Sequence, residues 1–419
     1  MATQGQGADV VRVGAEVAEA SGFASLHGQR VAVLGNPTSL IRHGGRRRRV
    51  HLIDALTAHG VQVVGLFGPE HGIWATAQDM VGVDANVDPV FRLPVETLYG
   101  HGEESLTLRP DALDGIDVLV FDVADVGARY YTYAATLVMA LQACAAAGVR
   151  VVVLDRPNPL GGVEVEGNRV QLPTFQSFVG WIDVPQRHGL TVGEIARLAA
   201  AESGIAVELE VVPCEGWQTE RYLDEQTCGD LGPLWTPPSP NMPTVATAVV
   251  YPGMCLIEAT TWSEGRGTTR PFEVVGAPGV DARALTAALL DRVGDAVDVR
   301  PLRFEPAFQK HARAVCDGVV LEVIDRARLQ SVRLGLHVIA AALEVAGPRF
   351  GWRAEAYEFV ADRSAMDLLM GGSHARLALL EGAPMAEITA DFAAAERAFA
   401  ARVRPHLLYA RPSGLLATP

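Results

Sequence analysis

The chain has 419 residues, 49% of them hydrophobic and 20% charged, with a formal net charge of −14. That length is generous for one core and suits two domains, with the composition of an ordinary globular protein. The acidic surplus argues against nucleic acid or an anionic membrane as partner, and no apolar run of about 18 residues exists to span a bilayer.

The N-terminus, Met1 to Glu19, shows no basic segment followed by an apolar one, so no signal peptide is expected and the chain reads as cytoplasmic. Cysteines at 144, 214, 228, 255 and 316 are scattered without CxxC spacing, which is neither a disulfide framework nor a zinc site. Cys144 and Cys255 sit in apolar stretches and read as core residues.

From residue 30 to residue 160 apolar strands, polar loops and helices alternate, as a parallel α/β sheet requires. A strand at 31–34 ends in Gly35-Asn36-Pro37. Arg46 to Arg49 form a run of arginines that reads as a solvated loop, and a short helix is predicted at 50–59. The next strand, 61–67, runs into FGPEHG, residues 67–72. Pro69 fixes the backbone there, and the flanking glycines let a ligand approach closely. A Glu70 carboxyl beside Phe67, Ile73 and Trp74 is expected to have a raised pKa and to serve as a general acid, with His71 next to it. The plainer reading of Glu70 is a carboxylate that caps loop amides.

A third strand, 117–121, ends in DVADVGARYYTY, residues 122–133. Asp122, Asp125 and Arg129 are candidates there. Tyr130, Tyr131 and Tyr133 suit a sugar ring and its hydroxyls, or simply the core of the helix that follows. That helix is predicted at 136–147, closed by Gly148. A fourth strand, 149–154, leads into LDRPNPLGG, where Asp155 and Arg156 could pair with each other. RHGLTVGE, residues 187–194, offers His188 and then Thr191 as the N-cap of a helix at 193–201. After a strand at 206–212, residues 213–245 are rich in Pro, Gly and Trp; a loop this long is expected to be functional or a lid. It contains PSPNMPT, residues 238–244, with Asn241. SEGRGTTRPFE, residues 263–273, brings Glu264 and Arg266 between glycines. An arginine so held suits a ligand carboxylate, or an internal pair with Glu264 or Glu258. Beyond residues 276–279 the composition changes: a helix at 281–293, strands near 302–304 and 319–324, and helices near 332–346 and 385–403 are predicted, with no comparable polar motif.

The fold class expected is α/β: a Rossmann-like doubly wound parallel sheet over residues 1–275, with a second, smaller α+β C-terminal domain over 276–419 that helps wall the site. The loop after the first strand, GNPTS, has neither GxGxxG nor GxxxxGK[ST], so no nucleotide cofactor is expected, and no HExxH or paired-histidine spacing calls for a metal. Cleavage of a glycosidic bond needs two flanking carboxyl groups, or one acid helped by the substrate's own acetamido group. Glu70 and Glu264 fit that need best, with His71 and Asp125 as further catalytic candidates. Asp122, Arg129, Tyr131, His188, Asn241 and Arg266 are the expected substrate contacts. Retaining and inverting outcomes both stay open.

These six ordered motifs resemble the NamZ family of exo-β-N-acetylmuramidases, glycoside hydrolase family 171, from about residue 31 to residue 272, with weaker likeness beyond. The resemblance implies a Rossmann-like catalytic domain, a smaller C-terminal domain and a cleft between them. It implies release of terminal N-acetylmuramic acid (MurNAc) from the non-reducing end of peptidoglycan fragments in cell-wall turnover, without cofactor. The family's GPEHG glutamate corresponds to Glu70 and its SEGRGT segment to residues 263–268. MurNAc carries a lactyl carboxylate, for which Arg129 and Arg266 are offered. The chain departs from the family where DIQDVG becomes DVADVG, losing an amide at Ala124. It departs again where EGTN becomes Glu258-Ala259-Thr260-Thr261, and where Arg-Gly after GPEHGI becomes Trp74-Ala75. Partners expected are small MurNAc-containing glycans, neither nucleic acid nor membrane, with a homodimer left open. Relatives are often exported, whereas no signal is read here, which suggests imported fragments as substrate or a mis-called start codon. Two other readings compete: a metal-dependent hydrolase with Glu70, His71, Asp122 and His188 as ligands, and a muropeptide-binding protein without turnover.

Overall fold

The computed structural model describes residues 10–45, 48–78, 80–84, 86–226 and 235–418. Residues 1–9, Arg46 and Arg47 of the arginine run, Cys228 and residues 227–234 of the long loop lie outside the described residues.

The strands, in chain order, are β1 (Arg30–Gly35), β2 (Leu40–Arg42), β3 (Arg49–His51), β4 (Gln62–Gly68), β5 (Asn86–Val87), β6 (Pro94–Thr97), β7 (Val118–Asp122), β8 (Arg150–Leu154) and β9 (Leu209–Val212). β2 and β3 form a hairpin by themselves, which takes the first two residues of the helix predicted at 50–59. The other seven make one sheet in the order β5-β6-β4-β1-β7-β8-β9, parallel except where β5 meets β6. The chain leaves β1 toward β4 and β6, then returns to lay β7 on the other side of β1. Reversals of this kind place ligand crevices at the carboxyl ends of the strands. β7 is buried at every position, because helices cover both faces of a parallel sheet; its sequence, VLVFD, is correspondingly a continuous apolar run.

The helices of this half are α1 (Gly14–Ala20), α2 (Leu52–Ala58), α3 (Tyr133–Ala147) and α4 (Val192–Glu202). α3 begins three residues before the predicted start, so Tyr133 belongs to its first turn; it ends at Gly148, whose φ of 70° closes the helix in the left-handed region. α4 starts with a reciprocal cap: Thr191 Oγ1 accepts the Glu194 amide at 3.2 Å, and Glu194 Oε2 accepts the Thr191 amide at 3.0 Å.

Next come α5 (Val245–Met254), β10 (Val274–Ala277), α6 (Ala282–Val293), β11 (Val297–Phe304), β12 (Cys316–Val323), α7 (Ser331–Ala346), α8 (Ala365–Met370), α9 (His374–Leu380), α10 (Met385–Ile388) and α11 (Phe392–Val403). The helix predicted at 385–403 is thus two helices, and β10, which the sequence did not announce, completes an antiparallel β10-β12-β11 sheet. One apolar cluster continues from Phe121 and Leu137 through Met254 to Leu336 and Leu369. α5 crosses α7 at Gly253 and Gly335, so closely that a Cβ on Gly253 would fall 1.7 Å from the Ser331 carbonyl oxygen. Glu166 adds a polar tie: its two carboxylate oxygens accept the Val332 and Arg333 amides at the start of α7, each at 2.9 Å. Among the described residues no helix is long and apolar enough to cross a membrane.

Candidate active site

A recess opens where the β4 loop, the start of α3 and the C-terminal half meet. Its lining includes Glu70, His71, Tyr131, Asn241 and Arg266, five of the residues singled out in the sequence.

Glu70 is 5% exposed, and its Oε2 accepts the Thr132 hydroxyl at 2.6 Å. The loop that presents it is tight. His71 adopts φ 70° and Gly72 φ 81°, and a Cβ on Gly68 would come within 2.9 Å of the Ile73 nitrogen. A left-handed non-glycine residue in a buried loop is strained and persists only where its surroundings enforce it. His71 Nδ1 lies 3.0 Å from the Ala77 carbonyl, and burial lowers the ring's pKa although Glu70 pulls it up. The apolar wall expected from Trp74 is absent from the recess: Trp74 stacks on Phe91 at 5.4 Å and donates to Asp88 at 2.6 Å. Ile73 packs into the core on the other side of the sheet.

Aromatic rings supply the wall instead. Tyr131 meets Tyr133 edge-on at 4.9 Å, Tyr251 meets Tyr131 at 5.7 Å, and Phe272 meets Tyr251 at 4.8 Å. Burial pushes the Tyr131 and Tyr133 phenols well above their usual range, so they remain hydroxyl donors at any working pH. Tyr133 donates to the Pro238 carbonyl at 2.7 Å, which ties the PSPNMPT segment to α3. Ser239, Asn241 and Met242 of that segment line the recess, and Asn241 donates to Gln78 at 3.0 Å.

Across from Glu70 lies a charged group. Arg266 Nη2 binds Glu258 at 2.6 Å, Tyr357 donates to the same carboxylate at 2.7 Å, and the guanidinium sits 5.0 Å over the Phe272 ring. Burial alone would raise the Glu258 pKa, but Arg266, Tyr357 and Lys310 outweigh it and hold the carboxyl below its usual range. The internal Arg266–Glu258 pair anticipated as an alternative therefore forms.

Glu358 is a residue to which no sequence motif points. Tyr357 and Val360 exchange both backbone hydrogen bonds of a hairpin, with only Glu358 (φ 47°) and Phe359 (φ 66°) between them. Two left-handed residues in a two-residue turn call for Asn-Gly or Gly-Gly; Glu-Phe is a strained choice. The turn holds Glu358 4% exposed in the recess, with Oε2 accepting the Tyr99 hydroxyl at 2.8 Å. The C-terminal half, expected to bring no polar motif, thus contributes Tyr357 and Glu358.

The structure places the remaining candidates outside the lining. Glu264 is buried behind it, bound to Lys310 Nζ at 2.9 Å and 3.4 Å from Arg266 Nε. Asp122 receives two hydrogen bonds from Arg156, at 2.6 and 2.9 Å, so Arg156 pairs with Asp122 rather than with Asp155. Arg129 donates to the carbonyls of Asn168, Val184 and Leu369 at 2.7–2.9 Å, and burial lowers its pKa to about 10. All three side chains are held by protein partners that folding supplies.

Asp125 and His188 lie behind the tyrosines, with His188 Nε2 3.9 Å from Asp125 Oδ1. Burial, opposed by the Gly127 and Val126 amides, raises Asp125 from 3.8 to about 7, while burial and Arg129 depress His188 to about 3. A proton bound more tightly by the folded state makes stability fall as pH rises. The stability tied to Asp125 is complete below the unfolded value near 3.8 and is lost as pH climbs to about 7. Asp125→Asn is expected to remove that loss, gaining roughly 2–4 kcal/mol over wild type at pH 8 and little at pH 4. Urea unfolding at the two pH values reads the difference; equal gaps at both would show that Asp125 folds as an ordinary carboxylate.

The ligands of the metal-dependent alternative do not converge: Asp122 is held by Arg156, and His188 lies behind the recess rather than in it. Among the described residues, the group whose donor atoms do converge is Glu19, His43 and His59, elsewhere on the chain.

A buried, hydroxyl-bonded carboxyl at the end of a parallel strand, sharing a recess with further carboxyls and an arginine between aromatic walls, is an arrangement that can hold a polar ring and protonate a leaving group, as glycoside hydrolases do. The chain belongs to the NamZ family. The profile described as exo-beta-N-acetylmuramidase NamZ, N-terminal, matches residues 31–246, and its C-terminal counterpart matches residues 249–409. The peptidoglycan beta-N-acetylmuramidase NamZ of Bacillus subtilis (strain 168) is 35% identical over 385 residues, covering 92% of this chain and 88% of that protein. Two crystal structures of DUF1343 family proteins from Bacteroides fragilis NCTC 9343 superpose with TM-scores of 0.81 and 0.70, at 29% and 27% identity. They cover 96% and 95% of this chain and 99% of each of theirs.

Proposed function

We propose that the protein is an exo-acting glycoside hydrolase that releases terminal β-N-acetylmuramic acid from the non-reducing ends of peptidoglycan fragments, in cell-wall turnover and recycling. The observation that carries this is the placement of the GPEHG carboxyl, Glu70, in a tyrosine-walled recess together with Arg266, in a chain of this family. Glu70 is assigned as the general acid that protonates the leaving oxygen, with Thr132 holding its carboxyl in place. Arg266 is assigned to the lactyl carboxylate because it lines the recess, whereas Arg129 lies outside the lining, taken up by backbone carbonyls. Incubation with a MurNAc–GlcNAc disaccharide is expected to yield free MurNAc, and chromatography of the products reads it. Failure to release MurNAc, or cleavage at internal positions of longer glycans, would sink the assignment.

The second carboxyl is assigned to Glu358, because a strained turn positions it in the recess while Glu264 is bound to Lys310 behind it. Glu358→Gln is expected to lower kcat at least ~tenfold with little change in the unfolding midpoint, because the amide keeps an acceptor for Tyr99. Undiminished kcat would remove Glu358 from the reaction.

The division of labour near residue 275 is kept as part of this reading: residues 1–275 carry the acid, and the part beginning with β10 brings Glu358. The family profiles meet earlier, between residues 246 and 249. We place the protein in the cytoplasm, supported by the buried thiols of Cys144, Cys214 and Cys316, which are not joined in disulfides and suit a reducing compartment. Its partners on this reading are small glycans, with no role for nucleic acid or membrane, and light scattering tests the homodimer.

A further inference from the structure

Away from the recess, three side chains from three separate elements meet at one point. Glu19 lies in the last turn of α1, His43 in the turn that follows β2, and His59 is the residue that closes α2. One donor atom from each falls within 4.8 Å of the other two. His43 Nδ1 is hydrogen-bonded to Glu19 Oε1, and His59 Nε2 stands 3.5 Å from the same oxygen. Ligand atoms around a tetrahedral zinc ion, with bonds near 2.0–2.2 Å, are spaced by about 3.3 Å.

The rings are fixed before any ion arrives. The two imidazoles pack edge-to-face at 5.7 Å, and buried Phe23 packs edge-on against His59 at 5.5 Å. Glu19 is 10% exposed at its side chain and the imidazoles 28% and 33%, which leaves a path from solvent. Among the described residues, the two arginines lining the adjacent hollow have partners of their own: Arg42 binds Glu16 and Arg12 binds Glu215. A surface ion pair accounts for one imidazole beside a carboxylate. It does not account for two imidazoles turned toward the same oxygen, with one of them wedged in place by a buried ring.

We propose that Glu19, His43 and His59 form a binding site for a divalent first-row cation, Zn²⁺ by its two-nitrogen, one-oxygen donor set. The ion would take the three side chains as ligands and keep a fourth position for water on the side of the hollow lined by Arg12 and Arg42. Its effect is to staple α1 to the β2–β3 hairpin and to α2, apart from the catalytic recess, which none of the three ligands lines.

The test uses full-length protein stripped with chelator and titrated with ZnCl₂ at neutral pH by calorimetry, with thermal melting alongside. One equivalent is expected to bind saturably and raise the melting temperature. His59→Gln and Glu19→Gln should each weaken binding at least tenfold while MurNAc release stays at the wild-type level, which shows that the variants fold. Wild type that takes up no zinc overturns the site. So do variants that bind as tightly as wild type, which place the ion elsewhere, and so does an equal response to MgCl₂, which marks unspecific attraction to acidic surface.

Discussion

Glu70→Gln is expected to slow release of MurNAc from a MurNAc–GlcNAc disaccharide at least ~hundredfold, a loss of about 3 kcal/mol of transition-state stabilisation. Glutamine keeps the shape and keeps an oxygen to accept the Thr132 hydroxyl at the 2.6 Å contact, so the loop should be undisturbed. What it lacks is a proton to give. A sugar leaving group needs that proton as the bond breaks, whereas an activated aryl group departs as a stable anion without it. The deficit should therefore shrink by at least ~tenfold on a nitrophenyl β-MurNAc glycoside. An equal deficit on both substrates would make Glu70 a nucleophile or an anchor instead of the acid. Full activity on both would move the chemistry to another side chain.

Asp122→Ala should be costly in a different way. Asp122 is fully buried and Arg156 nearly so, and they share two hydrogen bonds. Removing one member of a buried pair leaves the other charge without compensation, a cost of about 3–5 kcal/mol. The variant is expected to unfold at a clearly lower urea concentration, with kcat and KM per folded molecule nearly unchanged. A stable variant with a raised KM would instead return Asp122 to the substrate contacts among which its place after a strand first put it.

That contrast shows what sequence could and could not convey. Strand ends were legible because a buried parallel strand is a continuous apolar run, and the polar residue after it stands out. Position after a strand does not tell which way a side chain turns. Glu70 turns into the recess, Asp122 turns toward Arg156, and both follow their strands in the same manner. Arg129 looked like an anion binder, because a sequence cannot show three backbone carbonyls converging from residues 168, 184 and 369. Thr132 stood inside a quoted motif yet drew no attention, since a hydroxyl matters only once its partner is known. Glu358 was silent for a sharper reason: its turn lacks the Asn-Gly that normally advertises such a conformation. β10 escaped because it is only four residues long, Val274–Ala277, carries a glycine at 276 and follows the arginine motif directly.

The crossing of α5 and α7, backbone against backbone at Gly253 and Gly335, bears on how the enzyme meets a polymer. Helices in such contact, embedded in an apolar cluster common to both halves, leave the seam no slack for swinging apart. Tyr251 of α5 lines the recess, so that wall is tied to the C-terminal half through the crossing. An exo-acting hydrolase takes one sugar from a free end at each encounter and must release it before the next. The working substrate concentration is thus the concentration of MurNAc-bearing ends rather than the mass of glycan present. Material sheared into short pieces would be consumed faster than the same mass left as long strands, with no change in the enzyme at all.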